Sequence, residues 1–290
     1  MTVEAVNEPA VTPPVFHCGR YTLALNRPLV MGIVNVTPDS FSDGGQFVGP
    51  QAAIDHAVQL VRDGADMLDI GGESTRPGAD PVSAQQELDR IMPVVQAVIS
   101  LNVPISVDTR RPEVMRDVLQ AGVDLINDVN GFRDSQSLQA VAASTCGVCI
   151  MHMLGEPRTM QQHPHYGDVV REVTDFLITQ RDALLAMGVA PERILIDPGF
   201  GFGKTLEHNL RLMRHIHAMA ALQPVLVGVS RKSMIGALTD QTDPAQRVAG
   251  SVAAALYAAD QGAQVLRVHD VRETVDALKV WAALKSRNDS

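Results

Sequence analysis

The chain has 290 residues, 46% of them hydrophobic and 20% charged, with a net charge of −9. A chain of this length buries enough surface to fold without disulfides or a structural metal. Its acidic balance argues against a nucleic acid or an anionic membrane surface as partner, and no apolar run approaches the roughly 20 residues that cross a bilayer.

Residues 1–15 carry two acids and no basic residue, and read as a disordered lead-in rather than a signal or transit peptide. A soluble cytoplasmic protein is expected, with one folded domain over 16–290. A short strand is expected over 21–26, followed by the apolar run 29–36, which ends near Asn35 and opens into a loop of turn residues. A helical pattern over 51–64 leads to the apolar stretch 65–73, which carries Asp69 and Glu73 and is followed by a Pro/Gly loop. A longer helical pattern then runs to about residue 100. The run 104–109 ends at Asp108, a helix over 112–122 closes on Gly122, and 124–129 ends at Asn127 and Asp128 before a short helix. Residues 147–153 form a strand ending near His152. A long loop and the helix 169–188 follow.

The stretch 194–205 (ILIDPGFGFGKT) organises the rest. Its β-branched run reads as a buried strand, and Pro198 biases Asp197 towards extended backbone, so a carboxylate is aimed out of the strand's end. Thr205 is placed to cap the helix that follows. The glycines are arranged neither as a P-loop, for which they lack one intervening residue, nor as GxGxxG; a strand-to-helix turn is expected. The run 224–230 ends at Ser230, Arg231 and Lys232, and an alanine-rich helix is expected over 243–261. The last strand carries Arg267 and His269, and Asp270 with Glu273 makes a capping-box pattern for the final helix.

Eight strand–loop–helix units with continuous apolar strands fit an α/β fold, a single-domain (β/α)8 TIM barrel, better than an open sheet. In such a barrel the polar strand tips share one face. Arg267 and His269 lie two residues apart, so both face the same way on a strand. With Asn35, and with Arg76, Arg231 and Lys232 at neighbouring strand ends, they would grip a phosphate or pyrophosphate. The acids Asp69, Glu73, Asp108, Asp128 and Asp197 suit a polar heterocycle with paired N–H donors, a divalent cation, or plain helix caps and arginine partners. His152, among apolar neighbours, reads as a core histidine. The pair Cys146 and Cys149 reads as core filling, since no second pair completes a zinc site.

The segments NVTPDSFSDGG (35–45), GGESTRPG (71–78), ISVDT (105–109), IND (126–128), MHM (151–153), LIDPGFGFGK (195–204), VGVSRKS (227–233) and RVHDV (267–271) resemble, in order, the motif set of the dihydropteroate synthase family. The resemblance spans residues 29–280. It implies a TIM-barrel transferase, usually a homodimer, that joins 6-hydroxymethyl-7,8-dihydropterin pyrophosphate to 4-aminobenzoate and releases pyrophosphate. By motif, Asp108, Asn127, Asp197 and Lys232 would bind the pterin, with Asn127 and Asp197 taking its N–H groups. Asn35 would hold Mg²⁺ and, with Thr75, Arg76, Arg267 and His269, the pyrophosphate. Pro77, Phe202, Ser230 and Lys232 would surround 4-aminobenzoate. Asp108, Lys232, Arg267 and His269 would be catalytic, with SN1-like loss of pyrophosphate as the expected route. Two alternatives stand beside it: a pterin-binding methyltransferase barrel, and a non-catalytic pterin-binding homologue.

Overall fold

A computed structural model describes residues 14–36, 50–74 and 81–285. Its chain opens with an antiparallel hairpin, β1 (Val15–Cys18) and β2 (Tyr21–Ala24). Strand β3 (Leu29–Asn35) and helix α1 (Pro50–Arg62) begin the repeated units, followed by β4 (Met67–Gly71) with α2 (Ala84–Val98) and β5 (Ile105–Asp108) with α3 (Pro112–Gln120). Then come β6 (Leu125–Asp128) with α4 (Ser135–Ala142), and β7 (Gly147–Met151) with α5 (Val169–Ala186). The unit β8 (Ile194–Asp197) is followed by α6 (Leu206–Arg214) and α7 (Ile216–Ala220). The chain closes with β9 (Leu226–Val227), α8 (Ser233–Thr239), α9 (Val248–Asp260), β10 (Val265–Val268) and α10 (Val271–Lys285).

Strands β3 to β10 lie side by side, all parallel, in the order β8-β7-β6-β5-β4-β3-β10-β9. A parallel bridge from Ile196 to Val225, with Ile196 N–H donating to Pro224 O at 3.0 Å, joins β8 to β9 and closes the ring. The fold is the expected (β/α)8 barrel. Its strands are apolar on both faces because both are buried. Outward residues such as Val30, Leu68, Val107, Ile126, Ile150 and Ile196 pack under the helices. Inward residues at the lower end, including Met31, Met67, Leu125, Cys149 and Leu195, pack with Phe16, Cys18 and Leu25 of the hairpin.

That hairpin is a plug for the barrel's N-terminal end, and the sequence pattern revealed only its second strand. The lead-in is also shorter than expected: Val15 is already in β1, and Pro14 O accepts from Leu25 N–H at 2.8 Å. Residues 1–13 lie outside the described residues. Helix α8 was not foreseen, the alanine-rich helix begins at Val248 after a 3-10 turn capped by Asp243, and α6 ends at Arg214. The Asp270 capping box gives way to an ion pair, because Arg231 Nε donates to Asp270 Oδ2 at 3.0 Å. Thr205 does cap α6, in a reciprocal box with His208. Cys146 packs under the helices while Cys149 points into the barrel, so the two buried thiols face opposite ways, as core residues.

Candidate active site

Parallel register sets the geometry of the barrel mouth. Asn35, Gly71, Asp108 and Asn127 stand in one row across β3, β4, β5 and β6. Gly71 brings no side chain to that row, and a Cβ there would meet only Asp108 Cβ, at 3.7 Å. Asp197 ends β8 beside Met151 of β7. Arg267 of β10 reaches across the interior, Nε donating to Asp69 Oδ2 at 2.6 Å and Nη2 to Asp108 Oδ2 at 3.1 Å.

Asp69 is the hub of this layer. It is fully buried, and it accepts from Arg267, from Ser106 Oγ at 2.6 Å and from Asn127 Nδ2 at 3.3 Å. The bond to Asp69 orients Asn127 so that its Oδ1, buried and without a hydrogen bond, is left as a bare acceptor. Burial opposes the charge on Arg267, but Asp69 and Asp108 outweigh it and hold the guanidinium protonated. Asp108 is pushed up to about 7 by burial, which Arg267 opposes and Asp69, Glu87 and Asp128 reinforce.

Asp197 is 4% exposed, and its Oδ1 accepts from Gly199 N–H at 2.7 Å. Burial raises its pKa against the pull of Lys232 and of that N–H. Lys232 Nζ donates to Phe200 O at 2.7 Å and lies 4.7 Å from the centre of the Phe202 ring. Burial draws Lys232 down to about 8, Asp197 opposing and Arg267 adding to the shift. The mouth therefore offers an acid near 7 and an amine near 8, both poised to change charge near neutral pH.

His269 holds Ser230 twice: its backbone N–H donates to Ser230 Oγ at 3.1 Å, and its Nδ1 lies 3.1 Å from the same oxygen. Ser230 Oγ accepts from that backbone N–H and shares a second hydrogen bond with Nδ1, whose direction follows the imidazole tautomer. Burial, with Arg267 and Arg231, pushes His269 down to about 3. It is a neutral imidazole rather than the second cation that the Arg-plus-His pattern implies.

The expected site residues Asn35, Asp108, Asn127, Asp197, Phe202, Ser230, Lys232, Arg267 and His269 are thus brought to the C-terminal end of the barrel. Thr75, Arg76, Pro77 and the motif residues 37–45 lie outside the described residues. Three polar strand tips serve other ends. Asp128 turns its carboxylate onto the N–H groups of Asn130 and Phe132, at 2.7 and 2.8 Å. Glu73 pairs with Arg110 at 3.2 Å and Arg111 at 3.0 Å. Arg231, at φ +59°, pairs with Asp270 and is removed from the anion-binding group.

Sequence reasoning missed Ser106 and Lys204. A hydroxyl inside an apolar strand was the available signal for Ser106, since a buried O–H needs an acceptor. His152 is also not among apolar groups alone: its Nδ1 lies 2.9 Å from Lys204 Nζ. The glycine loop is the expected strand-to-helix turn, with Gly199, Gly201 and Gly203 at φ +69°, +82° and +65°.

The profile of the family described as "Pterin binding enzyme" matches residues 31–269. Dihydropteroate synthases of Neisseria meningitidis serogroup C and Escherichia coli strain K12 are 52% and 47% identical to this chain. Both alignments cover 93% of it, and 97% and 96% of those relatives. Among solved structures, Xanthomonas albilineans dihydropteroate synthase with 4-aminobenzoic acid superposes with a TM-score of 0.90 at 51% identity, covering 95% of this chain and 99% of that one. Burkholderia cenocepacia dihydropteroate synthase complexed with 7,8-dihydropteroate superposes at 0.87 and 50%, covering 94% and 97%.

Proposed function

This chain belongs to the pterin-binding enzyme family, and from that premise we propose that it works as a dihydropteroate synthase. It condenses 6-hydroxymethyl-7,8-dihydropterin pyrophosphate with 4-aminobenzoate, giving 7,8-dihydropteroate and pyrophosphate. One observation carries the reading: the bare Oδ1 of Asn127, 3% exposed, at the same barrel mouth as the buried carboxylate of Asp197. A buried acceptor without a donor costs about 1–3 kcal/mol, and a heterocycle with adjacent N–H groups recovers it. The pterin ring has such an edge. Asp197 takes its amino and ring N–H donors and Asn127 a further one, while Lys232 spans the pterin and the aryl amine, which rests against Phe202 beside Ser230.

Chemistry follows from charge placement. The aryl amine is neutral at pH 7 and needs no strong base. The bond between the pterin methylene and the pyrophosphate oxygen breaks, its electron pair leaving with pyrophosphate. Asp108 stabilises the positive charge that develops on the pterin. Arg267, with His269 beside it, receives the departing anion. The amine lone pair then forms the C–N bond, and its proton passes to solvent. Asn35 is the residue that would hold Mg²⁺. Its amide oxygen is a hard donor, and among the described residues no three His, Cys, Asp or Glu side chains gather around a metal-sized site. A Mg²⁺ held by Asn35 would supply Lewis-acid stabilisation of the leaving phosphates.

The working unit is a homodimer. The support is an apolar groove lined by Leu210, Met213, Met234, Ile235, Leu238 and Tyr257, in which Leu238 is 52% and Tyr257 43% exposed. A cytoplasmic location is supported by three buried, unpaired cysteines, which suit a reducing compartment. The deciding experiment is pyrophosphate release that requires both substrates. Its absence from folded protein supplied with Mg²⁺ overturns the assignment.

A further inference from the structure

Lys204 has no part in the site as described, yet it is 3% exposed. Its Nζ lies 2.9 Å from Gly199 O, 3.0 Å from Phe202 O, 3.3 Å from His152 O and 2.9 Å from His152 Nδ1. Three of these neighbours are carbonyl acceptors. A neutral amine would turn its lone pair on one of them, so the ammonium is the form that fits. Burial draws the Lys204 pKa well below the usual lysine range, with Lys232 and Arg133 adding to the fall, while the charge of Asp197 opposes it and the three carbonyls favour the ammonium. His152 is pushed down to about 2 by burial, Lys204 and Arg133, so its ring is neutral.

The cage belongs to the loop that Asp197 roots and Phe202 tips. Gly199 runs so close to the end of β7 that a Cβ would stand 1.9 Å from His152 O. Two carbonyls of the loop and one of β7 turn inward onto the same ammonium. Left without it, three buried carbonyls would face one another.

We propose that Lys204 is a positioning residue for the pterin site, a built-in cation that shapes the 198–203 loop and keeps the buried carboxylate of Asp197 ionised. The inference rests on the reading of Asp197 as the acceptor for the pterin N–H groups.

Charges facing Asp197 come from several elements. Cys149 faces it from β7, Lys232 from beyond β9 and Arg267 from β10, with Asp69 and Asp108 paired to that arginine. Cys149 is held as a thiol by burial and by Asp197. Burial raises Asp197, while Lys232, the Gly199 N–H, Arg267 and Lys204 lower it. Removing the charge at 204 lets Asp197 take up its proton at higher pH.

The test is binding of 6-hydroxymethyl-7,8-dihydropterin, measured by calorimetry from pH 5 to 8, to the wild type, Lys204→Met and Lys204→Arg. The acid limb of binding in Lys204→Met moves up by about one pH unit, the scale on which a nearby opposite charge acts. Lys204→Arg, which keeps the charge and misfits the cage, weakens binding at every pH without moving the limb. Asp108 adds the same titration to all three proteins. Circular dichroism at each pH reports folding, and Lys204→Gln supplies the neutral arm where the Met variant does not fold. A neutral variant whose pH profile parallels the wild type overturns the inference, as does an Arg variant whose limb moves with the Met variant. A wild-type chain that does not bind the pterin overturns the functional reading itself, and this inference with it.

Discussion

At the scale of residues, Asp108 and His269 are the groups whose work depends most on their surroundings. Asp108 shares Arg267 with Asp69, so one guanidinium balances two carboxylates until an anion arrives. Asp108→Asn removes the charge that the developing pterin cation would meet. Its single-turnover rate is expected to fall about 100-fold, the scale of losing one electrostatic contact to a transition state, while pterin affinity changes far less; rapid-quench kinetics beside calorimetry separates the two, and an unchanged rate excludes the SN1-like route. His269 makes a statement about stability. Its folded pKa of about 3 lies below the unfolded value, so the unfolded chain binds the extra proton between those limits. Its contribution is therefore complete above the unfolded pKa and drains away as pH falls through that window. Between pH 7 and 5 the wild type should lose on the order of 1–2 kcal/mol relative to His269→Gln, as read from urea midpoints. Parallel stability curves would mean that the imidazole is not held neutral. The carboxylates of Asp108 and Asp197 were legible as polar tips on apolar strands. Lys204 was not, because its hydrogen-bond partners come from its own loop and from a residue 52 positions away.

At the scale of elements, the two ends of the barrel do different work. The β1–β2 hairpin closes the lower end with Phe16, a fully buried side chain packed against Cys18, Leu25 and the inward faces of the strands. Phe16→Ala should cost about 3–5 kcal/mol of stability, read from the denaturant midpoint, with kcat/KM essentially unchanged below the transition. A matched loss of activity in the folded variant would show that the plug shapes the mouth as well. The strands β3 to β8 were readable because each is an apolar run closed by turn residues. The first strand of the hairpin was not, since VFHC is four residues long and precedes a glycine with no periodic pattern. Helix α8 is short for the same reason: its seven residues lie between a lysine N-cap and a left-handed Asp240, with too few turns to show a period.

At the scale of the whole molecule, closure of the barrel gathers side chains from separate strands at one mouth, and it leaves an apolar face uncovered beside α6, α8 and α9. If that face joins two copies, Leu238→Arg places a charge in the joint and should shift sedimentation from dimer to monomer; an unshifted dimer would move the interface elsewhere. Local sequence determined the barrel strands, most helices, the Thr205 cap and the glycine turn, because hydrophobic period, proline and glycine act over a few neighbouring residues. It also carried the motif resemblance, and with it Asn35, Asp108, Asn127, Asp197, Lys232, Arg267 and His269. Only the tertiary structure decided what those groups touch. Register set Asn35, Asp108 and Asn127 in one row, burial made His269 a neutral imidazole, and the loop after β8 put carbonyls around Lys204. Charge state and hydrogen-bond partner depend on groups far away in the chain, and closing the barrel is what brings them within reach.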